Sequence, residues 1–255
     1  KGFCPSFVTV LGGELKKTKS EAGNDIFNGI PDVNIPQLDH AYNIMVTGIG
    51  GTGVLTVGAL LGMASHLEKK RCRNLDMTGL AQKGGEVLSH VRISPTPDDL
   101  RTGHIITGGA DLLLACDIVS AVGSTAFETL SAERTKAVVN TNNTPVADFV
   151  TNNEIDFHQK QVRETLFKVL DPKGQNFVPA TEYAQILLGD EISTNIFMVG
   201  YAWQKGLIPL HKSSIERAIE LNGVAIDANK KSFNYGRLAA HDPAKIEELV
   251  QAVKG

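Results

Sequence analysis

Residues 43–70 read NIMVTGIGGTGVLTVGALLGMASHLEKK. The first seven, NIMVTGI, are a short apolar run rich in β-formers, the profile of a strand buried on both faces. GGTG follows. In the next segment Val54, Leu55, Val57, Ala59, Leu60, Leu61 and Met63 place apolar side chains around much of a helix. Such a helix belongs against a sheet. Strand, glycine turn and buried helix make the opening unit of a doubly wound α/β fold.

Working outward, EVLSHVRIS (86–94), HIIT (104–107), ADLLLACD (110–117) and KAVVNTN (136–142) read as further strands, with VGSTAFETLSAERT (122–135) as a helix among them. The alternation predicts a mostly parallel, Rossmann-like sheet. RCRNL (71–75) is too charged for a second buried strand. From about residue 158 the pattern turns helical, through VRETLFKVL, ATEYAQILLG, TNIFMVGYAWQKG and SSIERAIELNG. Ser213 with Glu216 predicts a capping box and Gly223 a C-cap; Asp242 and Pro243 predict the start of a last helix. Upstream, residues 11–41 mix Gly, Pro, Asn, Asp and Lys without a period and read as a linker, behind a strand-like KGFCPSFVTV.

Composition narrows the function. The 255 residues are 42% hydrophobic and 21% charged, with a net charge of −3. That is enough apolar material to offset chain entropy over a sizeable core. No apolar run approaches the roughly 18 residues of a membrane span. A mildly acidic chain is a poor match for a nucleic-acid groove, which needs clustered Lys and Arg. Three cysteines, Cys4, Cys72 and Cys116, are too few and too scattered for a disulfide framework, and fit a reducing, cytoplasmic setting. No charged-then-apolar leader opens the chain, and its close just behind a helix stop gives the expectation of a piece of something longer.

GIGGTG (48–53) is the strongest local signal. It satisfies G-x-G-x-x-G between a predicted strand and a predicted helix, which makes Gly48, Gly50, Gly51, Thr52 and Gly53 candidate ligand contacts. Backbone without side chains lets a ligand approach closely, and a helix start favours an anion such as a pyrophosphate. A tight packing turn with no ligand is the other reading. Asp76 lies about where a dinucleotide fold places its ribose acid. A second loop in DMTGLAQKGGEVLSHVRIS (76–94) carries Lys83, Gly84 and Gly85. Its cation either points at the same anion or is a solvated surface lysine. Asp117 follows a buried strand, where α/β crevices lie, or caps the next helix. Asn140, Asn142 and Asn143 stand at a similar place. The seven histidines show no metal spacing, and His90 is the one whose face strand alternation must decide. Neither a nucleophile nor a general base is evident.

At this point the residues resemble a known family. IMVTGIGGTGVLTVGALLGMASHLE, LDMTGLAQKGGEVLSHVRIS, ADLLLACD, LLGDEISTNIFMVGYAWQKGLIPL and IERAIELNGVAIDANKKSFNYGRLAAHD resemble, in order, the gamma-type domain of 2-oxoacid:ferredoxin oxidoreductases. The long fused indolepyruvate ferredoxin oxidoreductases are the nearest in pattern. The resemblance implies a division into residues 1–12, the tail of a thiamine-diphosphate-binding domain; 13–40, a linker; 41–240, the gamma-type domain; and 241–255, the start of a following region. It implies an enzyme that decarboxylates a 2-oxoacid oxidatively, with thiamine diphosphate, 4Fe-4S clusters and coenzyme A as cofactors or co-substrate. The thiamine chemistry would belong to other domains of the oxidoreductase, and the implied partners are those domains, ferredoxin and a further copy in a homo-oligomer. Gly48, Gly50, Gly51 and Gly53 match the family's glycine turn, and Lys83, with Gly84 and Gly85, its basic residue before two glycines. Cys4, followed by Pro5, resembles a cluster ligand. A nicotinamide-dependent enzyme using Asp76 and a non-catalytic docking module stay as alternatives.

Overall fold

The computed structural model of the chain describes residues 24–78, 85–142 and 159–254. In order, its elements are β1 (Tyr42–Ile49), α1 (Val54–Leu67), β2 (Arg71–Thr78), β3 (Glu86–Ser94), β4 (Leu112–Ala115), α2 (Ser124–Glu128) and β5 (Lys136–Asn140). Then come α3 (Gln159–Val169), β6 (Gln175–Val178), α4 (Ala180–Leu188), α5 (Thr194–Gln204), α6 (Lys212–Asn222), α7 (Ile226–His241) and α8 (Pro243–Lys254). The strands form one sheet in the order β2-β3-β1-β4-β5-β6. β1, β4, β5 and β6 run parallel, while β3 is antiparallel to both its neighbours. The α/β class and the mostly parallel sheet are as the sequence predicts.

Two cores sandwich the sheet. Ile44, Val46, Leu112, Leu114 and Val138 face α1 and the helices α4 to α8. Met45, Leu88, Leu113, Ala115 and Val139 face α2, α3 and the loops between strands. Period-two alternation on β1 and β4 therefore feeds both layers, which is why those strands read as unbroken apolar runs.

Several expectations need correction. RCRNL is part of a strand after all: β2 is an edge strand paired only with β3, and exposed Arg71 and Arg73 are tolerated at an edge. HIIT is not a strand. The Ile105 N–H is spent on His90 Nδ1 at 3.2 Å, and Gly108, at φ +66°, turns the chain away. The helix over 122–135 is only five residues long, because the carbonyls of Glu128 and Thr129 accept from Gly108 and Ala110, not from the next helical turn. Ser213 does not cap α6: the helix starts one residue earlier, behind an extended His211. Gly223 at φ +72° and the Asp242 carboxylate accepting from Lys245 N do close α6 and open α8 as expected. β6 and α7 are elements the sequence reading missed.

The segment before β1 lies on the helical layer. Arg237 of α7, 3% exposed, stacks its guanidinium over Trp203 and donates to Gln204 Oε1, Asp32 Oδ1 and the Pro31 carbonyl. α5 is buried along its whole length, and it meets α7 where Gly200 and Gly236 face each other's backbones.

Candidate functional site

The chain runs from β1 to one side of the sheet, through α1 to β2 and β3, and from β4 to the other. The strand order thus reverses between β1 and β4, and α/β ligand crevices form at such a switch, beyond the carboxyl ends of the strands. A cleft of about 210 Å³ lies there. Ile49, Gly51 and Thr52 line it from the end of β1, Cys116 and Asp117 from the end of β4, and Asn142 from beyond β5. Thr181 of α4 with Asp190, Glu191, Ile192, Thr194 and Asn195 closes the far wall.

The glycine turn is built for two purposes. Gly51 and Gly53 sit at φ +91° and +92°, where an L side chain is strained. A Cβ on Gly51 would meet nothing within 4 Å, so the turn presents bare backbone to the cleft there. Gly48 and Gly50 instead serve packing. A Cβ on Gly48 would lie 2.5 Å from Val54 Cγ2, and the Gly50 N–H donates to the Gly85 carbonyl at 2.8 Å. Gly85 therefore sits at the same end of the sheet as the turn. Lys83, Gly84, Asn143 and Cys4 lie outside the described residues.

One side chain from α5 and one from the turn itself lock it. Asn195 Nδ2 donates to the Thr52 carbonyl at 2.7 Å, and Thr52 Oγ1 donates to the Ile49 carbonyl at 2.8 Å. Helix α1 starts behind Gly53 with no side-chain cap and no acid in its first turn, so nothing in its own first turn neutralises its positive end. Asn140 is wholly internal: it donates to the Cys116 carbonyl and Thr181 Oγ1 and accepts from Ala180 N and Asn142 N. It fixes the β4, β5 and α4 ends and does not face a ligand. Asn142 does line the cleft. Asp117 lines the cleft and accepts from Val119 N at 2.8 Å in the turn after β4, but it does not cap α2, which starts behind Gly123 with no side-chain cap.

Electrostatically the wall is acidic. Asp117, Asp190 and Glu191 line the cleft, and among the described residues that do so there is no Lys or Arg. Asp190 caps Ile192 N at 2.9 Å, and Glu191 accepts from Gln185. The Cys116 thiol, pushed up to about 12 by burial and the nearby Asp117, is inert. Asp190, Glu191, Ile192, Thr194 and Asn195 went unrecognised as site residues. The local signal for them was an acid after a helix-ending glycine, here Gly189 at φ +79°.

Other candidates fall elsewhere. Asp76 accepts from Ser89 Oγ at 2.6 Å on β2, with β3 standing between it and β1. The contiguous β-α-β pair that a ribose acid requires is absent. His90 points into the second core, its ring centroid 4.3 Å from that of His104 and tilted 48° to it, and burial pushes its pKa down to about 4. Among the described residues no three His, Cys, Asp or Glu side chains converge as metal ligands, and no helix is long and apolar enough to cross a membrane.

Sheet order and crevice define an α/β domain with a cleft at its topological switch. The chain belongs to the pyruvate ferredoxin/flavodoxin oxidoreductase family, whose model matches residues 43–239. It is 27% identical over 205 residues to the indolepyruvate oxidoreductase subunit IorB of Pyrococcus horikoshii, covering 79% of this chain and 96% of that one. In fold it is similar to the pyruvate oxidoreductase subunit PORC of Thermotoga maritima, with a TM-score of 0.55 at 23% identity over 78% of this chain and 96% of that one. It is also similar to part of a 2-oxoglutarate:ferredoxin oxidoreductase from Magnetococcus marinus, solved with 2-oxoglutarate, coenzyme A and succinyl-CoA bound. There the TM-score is 0.57 at 16% identity, covering 79% of this chain and 31% of that one. As a member of this family the chain is an oxidoreductase component.

Proposed function

We propose that the chain is the gamma-type component of an enzyme that oxidatively decarboxylates an indolepyruvate-type 2-oxoacid to its acyl-CoA, passing electrons to ferredoxin. In this reading the chain contributes the coenzyme A side of the active site and has no turnover alone. Thiamine diphosphate, which carries the acyl carbanion when bound, belongs to other domains or subunits. The observation that carries the reading is the cleft at the β1/β4 switch, opened by a glycine turn within the family-matched span.

The chemistry of the wall supports a division of the ligand. Three carboxylates repel phosphate but accept hydrogen bonds from amide N–H groups, so Asp117, Asp190 and Asn142 suit the neutral pantetheine arm. The phosphates suit the outer rim, at the positive end of α1 beyond Gly51 and Gly53. Lys83 is assigned to that rim with Gly84 and Gly85, and Cys4 to a cluster completed by residues upstream; iron content of a longer chain with and without Cys4→Ser tests the latter. NAD is a weaker match because Asp76 is engaged by Ser89 on the far side of β3. Calorimetric titration with coenzyme A and with NAD decides between them. Coenzyme A binding weakened by Asn195→Ala is the expected result. NAD binding with no response to coenzyme A overturns the assignment, and no response to either leaves a docking module.

A further inference from the structure

Arginines in this chain are mostly engaged by a carboxylate or a ring. Arg134, Arg217 and Arg237 meet Asp111, Glu220 and Asp32, and Arg163 lies over the Phe177 ring. The other four gather at one corner of the sheet: Arg71 and Arg73 on β2, Arg92 on β3, and Arg101 in the loop after it. None of them forms an ion pair with a described residue. Arg73 and Arg92 are directly opposite in the ladder, where like charges repel. Both are nonetheless fixed. Arg73 Nη1 donates to the Arg101 carbonyl at 2.9 Å, and Arg92 donates to Asn43 Oδ1 at 2.9 Å and to the Thr102 carbonyl at 2.7 Å. The nearby acids are occupied: Asp99 accepts from Ser94 and Thr96, and Glu68 accepts from Lys70 and His211 N. In a chain of net charge −3, this corner holds a local excess of positive charge.

The strand that carries Arg71 and Arg73 is also an open margin of the sheet. β2 pairs with β3 alone, and no described element bonds its outer edge along its eight residues. Its two faces differ. Asn74 and Asp76 turn toward α1 and are engaged, Asn74 by the Gly58 carbonyl and Asp76 by Ser89 Oγ. Arg71, Arg73, Leu75 and Met77 alternate along the other face, cations at its start and apolar side chains at its end, with Met77 39% exposed.

We propose that β2 is a docking edge for an extended acidic segment of a partner protein, which adds to the sheet as a further strand with its carboxylates against Arg71 and Arg73. The unpaired backbone groups of the edge supply main-chain hydrogen bonds, as in strand addition generally. The side chains supply selectivity, since a guanidinium fork receives a carboxylate through two parallel hydrogen bonds, and Leu75 and Met77 receive apolar groups further along. The same charge repels a second basic edge, so it keeps copies of this chain from pairing through β2 while admitting an acidic strand. Nucleic acid fits less well. Neither β2, β3 nor the loop from Ser94 to His104 carries a Phe, Tyr or Trp on which a base could stack. β2 runs parallel to β1, so its arginines lie at the end of the sheet opposite the cleft. The inference therefore stands whatever occupies the cleft.

The test titrates the 255-residue chain into a fluorescein-labelled peptide, Val-Thr-Val-Thr-Glu-Thr-Glu-Thr, ordered for antiparallel addition to β2. Anisotropy is expected to give a Kd below about 1 mM, and hydrogen exchange to slow along β2 in the complex. Arg71→Glu, at an exposed position without a side-chain partner, weakens binding about tenfold or more. Arg101→Glu acts in the same direction, and circular dichroism checks that both variants stay folded. The peptide with lysine in place of glutamate binds the unaltered chain poorly and gains on Arg71→Glu, because the charges are then exchanged. No binding below about 1 mM, binding indifferent to both substitutions, or slowed exchange confined to elements other than β2 overturns the proposal. Tighter binding of a single-stranded oligonucleotide than of the peptide overturns it as well.

Discussion

Replacing Gly200 with alanine tests the α5–α7 contact with a sign that separates packing from propensity. An added Cβ at Gly200 would lie 2.0 Å from the Phe233 carbonyl oxygen, and one at Gly236 would lie 2.0 Å from that of Phe197. A carbon needs about 3.3 Å from such an oxygen, so the helices must separate by roughly 1.3 Å. They cannot do so cheaply, because all eleven residues of α5 are buried and Phe197, Trp203, Phe233 and Tyr235 are packed beside the contact. Overpacking of this kind costs about 1–3 kcal/mol, and the tightness of the site places it at the upper end. Alanine returns about 1 kcal/mol of helix propensity. The net loss is about 2 kcal/mol, which lowers Tm by about 4–8 °C in a domain of this size. Differential scanning calorimetry reads it directly. An unchanged or raised Tm would show that the two backbones do not touch as described, since an unpacked Gly→Ala change inside a helix stabilises.

Three further outcomes follow. Above pH about 6.5 the His90 ring is neutral in folded and unfolded chain alike; below it the unfolded chain takes up a proton that the buried ring, pushed down to about 4, refuses. Stability thus falls by roughly 3 kcal/mol between those limits, and His90→Gln flattens the urea-unfolding profile there; an unaltered slope would rule His90 out. Asn140→Ala strands the Ala180 and Thr181 N–H groups and the Cys116 carbonyl, and costs about 3 kcal/mol in chemical denaturation; a loss below about 0.5 kcal/mol argues against the network. Gly53→Ala forces a side chain to φ +92° with ordinary room around it, so strain alone lowers stability by about 1–2 kcal/mol at unchanged m-value; a wild-type midpoint refutes the left-handed turn.

The fold's centre was legible because β1 and β4 bury apolar residues on both faces and α1 carries apolar residues around much of its circumference, and no competing pattern fits such runs. The edge was not. β2 carries Arg71 and Arg73 because one of its sides meets water, so charge that disqualifies a central strand says nothing against an outer one. α7 escaped notice because part of what it buries is polar or small: Ser232, Gly236 and Arg237 lie inside, held by partners distant in sequence. HIIT misled in the opposite sense: Ile105 is buried with its N–H on His90, Ile106 is exposed, and the segment joins no ladder. In the site, GIGGTG announced itself through its glycines. Asn195 reaches Thr52 across 143 residues of chain, a relation with no local trace.

The grip of Arg237 on the stretch around Pro31 and Asp32 has a practical bearing on where the polypeptide can be trimmed. The span shared with the family begins at residue 43, and an expression clone started there would discard the carboxylate and carbonyls that this guanidinium engages. A cation sealed under Trp203 would be left with Gln204 and Asn234 alone. A recombinant version meant to be soluble should therefore begin ahead of Asn24, keeping the short lead-in that neutralises the buried arginine.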